Sequence, residues 1–331
     1  MAKGMSIRVF RFVPLWFVYF GMSLIASLPA IGTERADYYR QIPDSTSVNP
    51  FNIALWVDPD LLVYNQQLQE KIRRFGNGLL DEASAELKAA NFGFISIEVL
   101  NDYERLLEER KNGIFELLHC DQAVYLAGRS QFDLYEVLLE QYREESPSAG
   151  AAGIWVREDS EIKELGDLVG RHIAAVHSYS LLGGALQQAL LAVTPRSPRP
   201  GEEGNYKPTK YTNCGSASDA ILRLITGVAT ERPIEAAFIP TSSPGLSLAA
   251  RLLGVDESGL PIELLETHPN TRLPGKPLLV SGLLKSEEPA LVNCLKTFLV
   301  RQRVPYKWQN SGKERFVSLE HDLAVAGKER E

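Results

Sequence analysis

The chain has 331 residues, 44% of them hydrophobic and 23% charged, with a formal net charge of −7 at pH 7. That composition excludes a disordered or low-complexity chain, and the length fits one large domain or two lobes. An excess of acid with no clustered block of Lys and Arg argues against a nucleic-acid binder, which needs concentrated positive charge to displace counterions.

Residues 1–33 read as an export signal. Lys3, Arg8 and Arg11 form a positive start, no acid precedes Glu34, and Phe12 to Gly32 is almost wholly apolar before small residues give way to polar ones. The same stretch is long enough to remain as an uncleaved anchor, but Pro14 and the small-residue end favour cleavage. Removal of residues 1–33 takes away three positive charges and leaves a net −10. Both readings put the body outside the cytoplasm.

Residues 34–49 form a polar leader. Phe51–Val57 is an apolar run between Asn49-Pro50 and Asp58-Pro59 and is predicted as a buried strand. A helical stretch follows from Leu62 to Ala90, with a break expected at Gly76-Asn77-Gly78. Strand Phe94–Leu100, a charged helix Tyr103–Lys111 and a third strand Asp121–Leu126 complete a first alternating run. This rhythm is that of a parallel sheet with crossover helices.

After the turn at Ser146–Gly150 the rhythm resumes. Gly153–Arg157 reads as a strand, Ile162–Leu168 as a short helix, Ile173–Val176 as a strand and Leu181–Val193 as a helix. Residues 194–210, with four prolines, read as an exposed loop. Ser216 to Asp219 fits a capping box that opens a helix to Thr226. Ile234–Ile239 is a further strand, and Pro277–Gly282 with the helix Pro289–Arg301 closes the series. The organisation expected is a first lobe over 50–148, a second over 149–242, and a return to the first over 243–331. No self-similar period of 20–50 residues suggests a repeat architecture. In open α/β sheets a ligand site lies at the carboxyl ends of the strands, here in a cleft between lobes.

Residues at those strand ends are the candidates. Ser178-Tyr179-Ser180 separates a buried strand from a helix start, whose first amides lack intrahelical acceptors and carry the positive end of the dipole. With two hydroxyls beside them such amides can hold an anion, although Ser180 could equally cap the helix. Tyr125 and Arg129 follow the third strand, and Arg129 offers a bidentate contact to an oxyanion or a solvated surface charge. Thr241 and Ser242 could donate hydroxyls into the cleft or shape a turn. Asp58 and Asp60 read as helix caps.

Enzyme chemistry has little support. The five histidines form neither HExxH nor another metal-ligand spacing, and there is no GxSxG elbow or Walker loop. Three cysteines, Cys120, Cys214 and Cys294, make neither a disulfide framework nor a zinc module. In His119-Cys120-Asp121 adjacent side chains on a strand point to opposite faces, so Cys120 reads as a small buried residue or a soft ligand contact.

One segment is more specific. In residues 153–176, Val156, Arg157, Asp159, Ser160, Ile162, Leu165, Asp167, Leu168 and Gly170 follow a pattern of strand, V-R-x-D-S-x-I-x-x-L-x-D-L-x-G, strand. Ser178-Tyr179-Ser180 comes next, then Gly215-Ser216 with Asp219-Ala220, then Ile234–Ile239; Cys120-Asp121 precedes them. In this ordered series, running from Phe51 to Gln309, the chain resembles the phosphate/phosphonate-type periplasmic solute-binding proteins of ABC transporters.

The resemblance implies the two-lobe type 2 periplasmic-binding fold, with a mainly parallel sheet flanked by helices in each lobe. It implies a monomer that closes on a small oxyanion and delivers it to an ABC permease, without catalysis, cofactor or metal. It also allows a sensor that presents an oxyanion to the periplasmic domain of a histidine kinase, where Cys120 would suit arsenite. Ser178 and Ser180 carry over as ligand donors. The family's loop Thr and Gly are here Tyr179 and Leu181, Glu235 replaces an aspartate, and residues 194–210 look inserted.

Overall fold

The computed structural model describes residues 38–64, 68–128, 134–143, 151–197, 208–227, 233–267, 276–301 and 314–317. The expected signal segment, Arg129 and most of the proline-rich loop lie outside the described residues. Among those described, no helix is long and apolar enough to cross a membrane.

In chain order the first lobe holds β1 (Tyr38–Gln41), β2 (Pro50–Trp56), α1 (Pro59–Tyr64), α2 (Leu68–Ala89), β3 (Phe94–Leu100), α3 (Tyr103–Asn112), β4 (Leu117–His119), α4 (Gln122–Gly128) and β5 (Tyr135–Arg143). The second lobe follows with β6 (Ala152–Arg157), α5 (Leu165–Leu168), β7 (His172–Ala175), α6 (Ala185–Val193), β8 (Lys210–Asn213), α7 (Ala217–Thr226), β9 (Ala236–Pro240), α8 (Pro244–Leu253) and β10 (Ile262–Thr267). The chain then supplies β11 (Pro277–Ser281), α9 (Gly282–Glu287), α10 (Pro289–Arg301) and β12 (Glu314–Val317) to the first.

Two sheets result, with strand orders β1-β3-β2-β4-β11-β5-β12 and β10-β6-β9-β7-β8. The strands joined by crossover helices pair in parallel: β3-β2-β4 in one sheet and β9-β7-β8 in the other. Antiparallel strands complete both sheets. Because β10 pairs with β6, the chain returns to the first sheet between Thr267 and Pro277, later than the expected boundary at 243.

The central strand β2 is apolar apart from Asn52 because both its faces are covered. Ile53, Leu55 and Val57 meet Leu79 and Leu87 of α2 and Leu295 and Phe298 of α10. Ala54 and Trp56 face the other way, among Leu106 of α3 and Val124 of α4. That second cluster does not stop at the lobe boundary. It continues into Ala174 of β7 and Val176 just after it, Ile221 and Leu224 of α7, and Leu246 and Ala249 of α8. The outer face of the second sheet has its own core, with Ile154, Ile173, Phe238 and Leu191.

Several expected elements change. The Asp121–Leu126 run is helical, not a strand. The strand is carried by the preceding Leu117–His119, and Asp121 Oδ1 accepts the Ala123 amide at 3.0 Å to start α4. Six apolar-rich residues fit either period, and the local cap decides. α2 also runs unbroken through Gly76-Asn77-Gly78. There the Tyr38 ring lies where a Cβ of residue 76 would be, and Tyr38 Oη donates to Asn77 Oδ1 at 2.7 Å. The glycine serves close packing of β1 on the helix. β1 itself lies within the expected leader.

The segment carrying the family pattern is structural. Arg157 pairs with Asp159, Ser160 Oγ accepts the Ile162 amide, and Asp167 makes a capping box with Glu164 at α5. Glu235 pairs with Arg171 at the start of β7, away from the strand ends where a ligand would sit.

Candidate functional site at the lobe seam

The carboxyl ends of the parallel strands converge on the seam between lobes. From the first lobe come Asp58 and Asp60 after β2, Tyr103 and Glu104 after β3, and Cys120 and Asp121 after β4. From the second come His177 to Leu181 after β7, and Asn213 to Ser218 from β8 into α7.

Two carboxylates of the first lobe reach across it. Asp60, 1% exposed, accepts the amides of Ala217 at 3.0 Å and Ser218 at 3.1 Å, and the Ser218 hydroxyl as well. These are the first residues of α7, so the carboxylate occupies the positive end of that helix. The fit is close: a Cβ on Gly245 would sit 2.5 Å from Asp60 Oδ2 and from the Ser218 nitrogen. Asp121, 6% exposed, accepts the Leu181 amide at 3.1 Å through the same Oδ1 that caps α4. Asp58 keeps the expected local role, accepting the Asp60 amide at 2.9 Å.

An aromatic row crosses the same boundary. Trp56 packs on Tyr103 with ring centroids 4.4 Å apart, Tyr103 stacks on His177 at 4.9 Å, and His177 lies 5.4 Å from Tyr179. His177 Nδ1 accepts the Tyr179 amide at 3.2 Å, so its proton is on Nε2, which faces Glu104 Oε1 at 3.2 Å. Trp56 Nε1 is buried with no hydrogen-bond partner among the described residues.

Burial sets the charge states. Desolvation raises the carboxyls of Asp58, Asp60 and Asp121 above the ordinary aspartate range, Asp60 to about 6, where the neighbouring Asp58 charge adds to the effect. The Lys276 ammonium opposes the shift at Asp58 and Asp121. Tyr103 is pushed well above the tyrosine range by burial and by the Asp121 and Asp58 charges, and its phenol, hydrogen-bonded to Ser180, stays protonated. His177 is lowered by desolvation despite Glu104.

The candidate residues separate into groups. Ser178, Tyr179 and Ser180 lie at the seam, but α6 begins at Ala185, later than expected, with Gly184 rather than Ser180 as its cap residue. Ser180 Oγ accepts the Gly183 amide at 3.2 Å, while Ser178 donates its amide to Asn213 Oδ1 at 3.1 Å and accepts from Asn213 Nδ2. Cys120 is fully buried within the cluster that spans the seam. Tyr125 sits on α4 with its ring 5.5 Å from the Arg110 guanidinium. Thr241 donates its amide to Ala151 at 2.9 Å, Ser242 is exposed, and Ser243 caps α8.

Sequence reasoning missed Trp56, Tyr103, His177, Asn213 and Lys276, and took Asp60 for a local cap. A usable signal is position at a strand's carboxyl end, which Asn213 occupies in β8 and which Tyr103 and His177 closely follow in β3 and β7. A separate surface depression of about 580 Å³, bordered by Lys163, Glu164, Gly166, Thr194, Arg196 and Glu266, shares no residue with the seam. Among the described residues no group of His, Cys, Asp and Glu could hold a metal ion.

Fold and seam together are those of a two-lobe binding protein. The chain belongs to the family of periplasmic substrate-binding proteins of phosphonate ABC transporters, whose profile matches residues 63–240, more than half of its length. A search of curated proteins finds no match. Among solved structures, the fold is similar to PhnD1 from Prochlorococcus marinus in complex with methylphosphonate, at TM-score 0.55 and 13% identity over 85% of this chain and 98% of that one. It is also similar to a binding-protein component of an ABC phosphonate transporter from Pseudomonas aeruginosa, at TM-score 0.51 and 12% identity, covering 83% of this chain and 84% of that one. A Xanthomonas citri protein solved with a chloride ion aligns at TM-score 0.52 and 14% identity, over 76% and 83%.

Proposed function

We propose that this chain is an exported solute-binding protein that captures a small phosphonate-like oxyanion between its lobes and delivers it to an ABC importer. The family match spanning both lobes carries this reading. The relative bound to methylphosphonate supports the ligand class. The apolar segment 12–32 behind Lys3, Arg8 and Arg11 supports export.

The seam has the donors an oxyanion requires: the Ser178 and Ser180 hydroxyls, the Leu181 amide and the first amides of α7. The last two sets already accommodate anionic oxygens, those of Asp121 and Asp60. A phosphonate oxygen offers the same lone pairs to the same hydrogens. Neutral donors and helix-start amides would hold the anion, which suits a chain of net negative charge.

The test is thermal melting of exhaustively dialysed protein against phosphate, phosphite, methylphosphonate, sulfate and arsenite. A bound anion at 100 times its Kd adds about 2.7 kcal/mol of stability. One anion is expected to raise Tm, and the double variant Ser178→Ala/Ser180→Ala to remove the rise while keeping the fold. The absence of a shift with every anion would refute the oxyanion reading.

A further inference from the structure

The amides that begin α7 and the amide of Leu181 point toward the opposite lobe. In a cleft open to water they would be solvated. Here each meets a carboxylate that the chain itself supplies from across the seam. Asp60 and Ser218 are 158 residues apart in sequence, and Asp121 and Leu181 are 60 apart, so neither bond is a by-product of local chain geometry. The contacts are enclosed: Asp60, Asp121, Ser180, Ser218 and His177 are all buried. Tyr103 bonded to Ser180 and stacked on His177, with Glu104 against His177, adds further links of the same sense, first lobe to second.

We propose that Asp60 and Asp121 form a built-in latch that holds the two lobes closed with no solute bound, each carboxylate seated on helix-start or loop amides of the other lobe. The latch is an internal competitor. An anion that uses the Leu181 amide or the start of α7 must displace a tethered carboxylate first. The latch rests on the solute-binding reading only for this consequence; the inter-lobe bonds themselves belong to the chain alone and are tested without any solute.

Label sites are provided by Val48, 82% exposed on the first lobe, and Val193, 78% exposed on the second. The full-length protein carrying Val48→Cys and Val193→Cys, with Cys214→Ser and Cys294→Ser to remove the two partly exposed thiols, is spin-labelled after dialysis. Native mass measurement verifies that it is free of small molecules, and pulsed electron spin resonance reads the distance between lobes. One population is expected in the otherwise unmodified chain. Asp60→Ala and Asp121→Ala should each add a longer-distance population, and Asp60→Asn, which keeps an acceptor oxygen, should restore the single one. A long-distance population in the solute-free unmodified chain would overturn the latch, as would alanine variants whose distances match it. If Asp60→Ala fails to fold, Asp121→Ala decides alone. Because no solute enters the measurement, its failure leaves the oxyanion reading standing, and failure of the melting screen leaves the latch standing.

Discussion

The buried Asp60 carboxyl makes the folded protein gain stability as the medium turns acid. Its pKa in the folded chain is about 6, against an ordinary 3.8, because desolvation and the Asp58 charge outweigh the donors at Ser218 and Ala217. An acid that binds its proton more tightly when folded contributes stability that is complete below the ordinary value and is lost as pH rises through about 6. With 1.36 kcal/mol for each tenfold change in proton affinity, these two values imply a gain of about 1.4 kcal/mol between pH 7 and pH 5. In a chain of 331 residues that raises Tm by about 2 °C.

The protonated carboxyl has a place for its hydrogen, since Ser218 Oγ can accept from Oδ1 and donate onward to Ser216 Oγ, 3.1 Å away. Asp60→Asn imitates that state and removes the titration. Other groups facing the site titrate too: Asp58 and Asp121, also raised, act in the same direction, while His177, lowered by burial, costs stability as pH falls below its ordinary 6.5. The quantity to measure is therefore the difference between unmodified protein and Asp60→Asn in urea unfolding at pH 5, 6 and 7. The unmodified chain should gain on the variant by about 1.4 kcal/mol from pH 7 to pH 5. Parallel pH profiles would refute the assignment of a raised Asp60.

Two further substitutions probe the same seam. Gly245→Ala places a methyl 2.5 Å from Asp60 Oδ2 and the Ser218 amide nitrogen, and should cost about 1–3 kcal/mol; an unchanged urea midpoint would contradict the close fit. His177→Phe keeps a ring against Tyr103 but removes the acceptor for the Tyr179 amide and the donor to Glu104. It should cost about 1–3 kcal/mol at pH 7.5 by the same assay, and the penalty should shrink at pH 5, where the unmodified histidine no longer favours folding.

Much of the fold was legible because buried strands advertise themselves. Phe94–Leu100, the apolar run after Pro50 and the helix Pro289–Arg301 lie where their patterns predict, and Ser216 caps α7 through the Asp219 amide as its spacing implies. The strands that escaped are of two kinds. β5 and β10 carry charged residues among the apolar ones, and β1, β4, β8 and β12 are only three or four residues long. The return to the first sheet was misplaced for the same reason, since an unrecognised β10 leaves nothing to hold residues 243–267 in the second lobe.

The site divides along a sharper line. Strand-end position was enough to put the Ser178–Ser180 loop at the seam. It could not separate Asp58 from Asp60, because both look like caps of the helix that follows them. Asp58 is one; Asp60 caps a helix that begins far downstream, and sequence spacing carries no trace of that partner. Tyr125 shows the reverse case, where a misread strand put a residue at a strand end that is in fact a helical contact for Arg110.

The row Trp56, Tyr103, His177, Tyr179 gives the molecule an optical gauge of its own. The boundary between lobes passes between Tyr103 and His177, so parting them unstacks the middle of the row and lets water approach the indole from that side. Indole emission moves to longer wavelength as its surroundings become wetter. Trp155, tied to the Ile239 carbonyl within the second lobe, packs against the same seam-spanning cluster and reports on it from the other side.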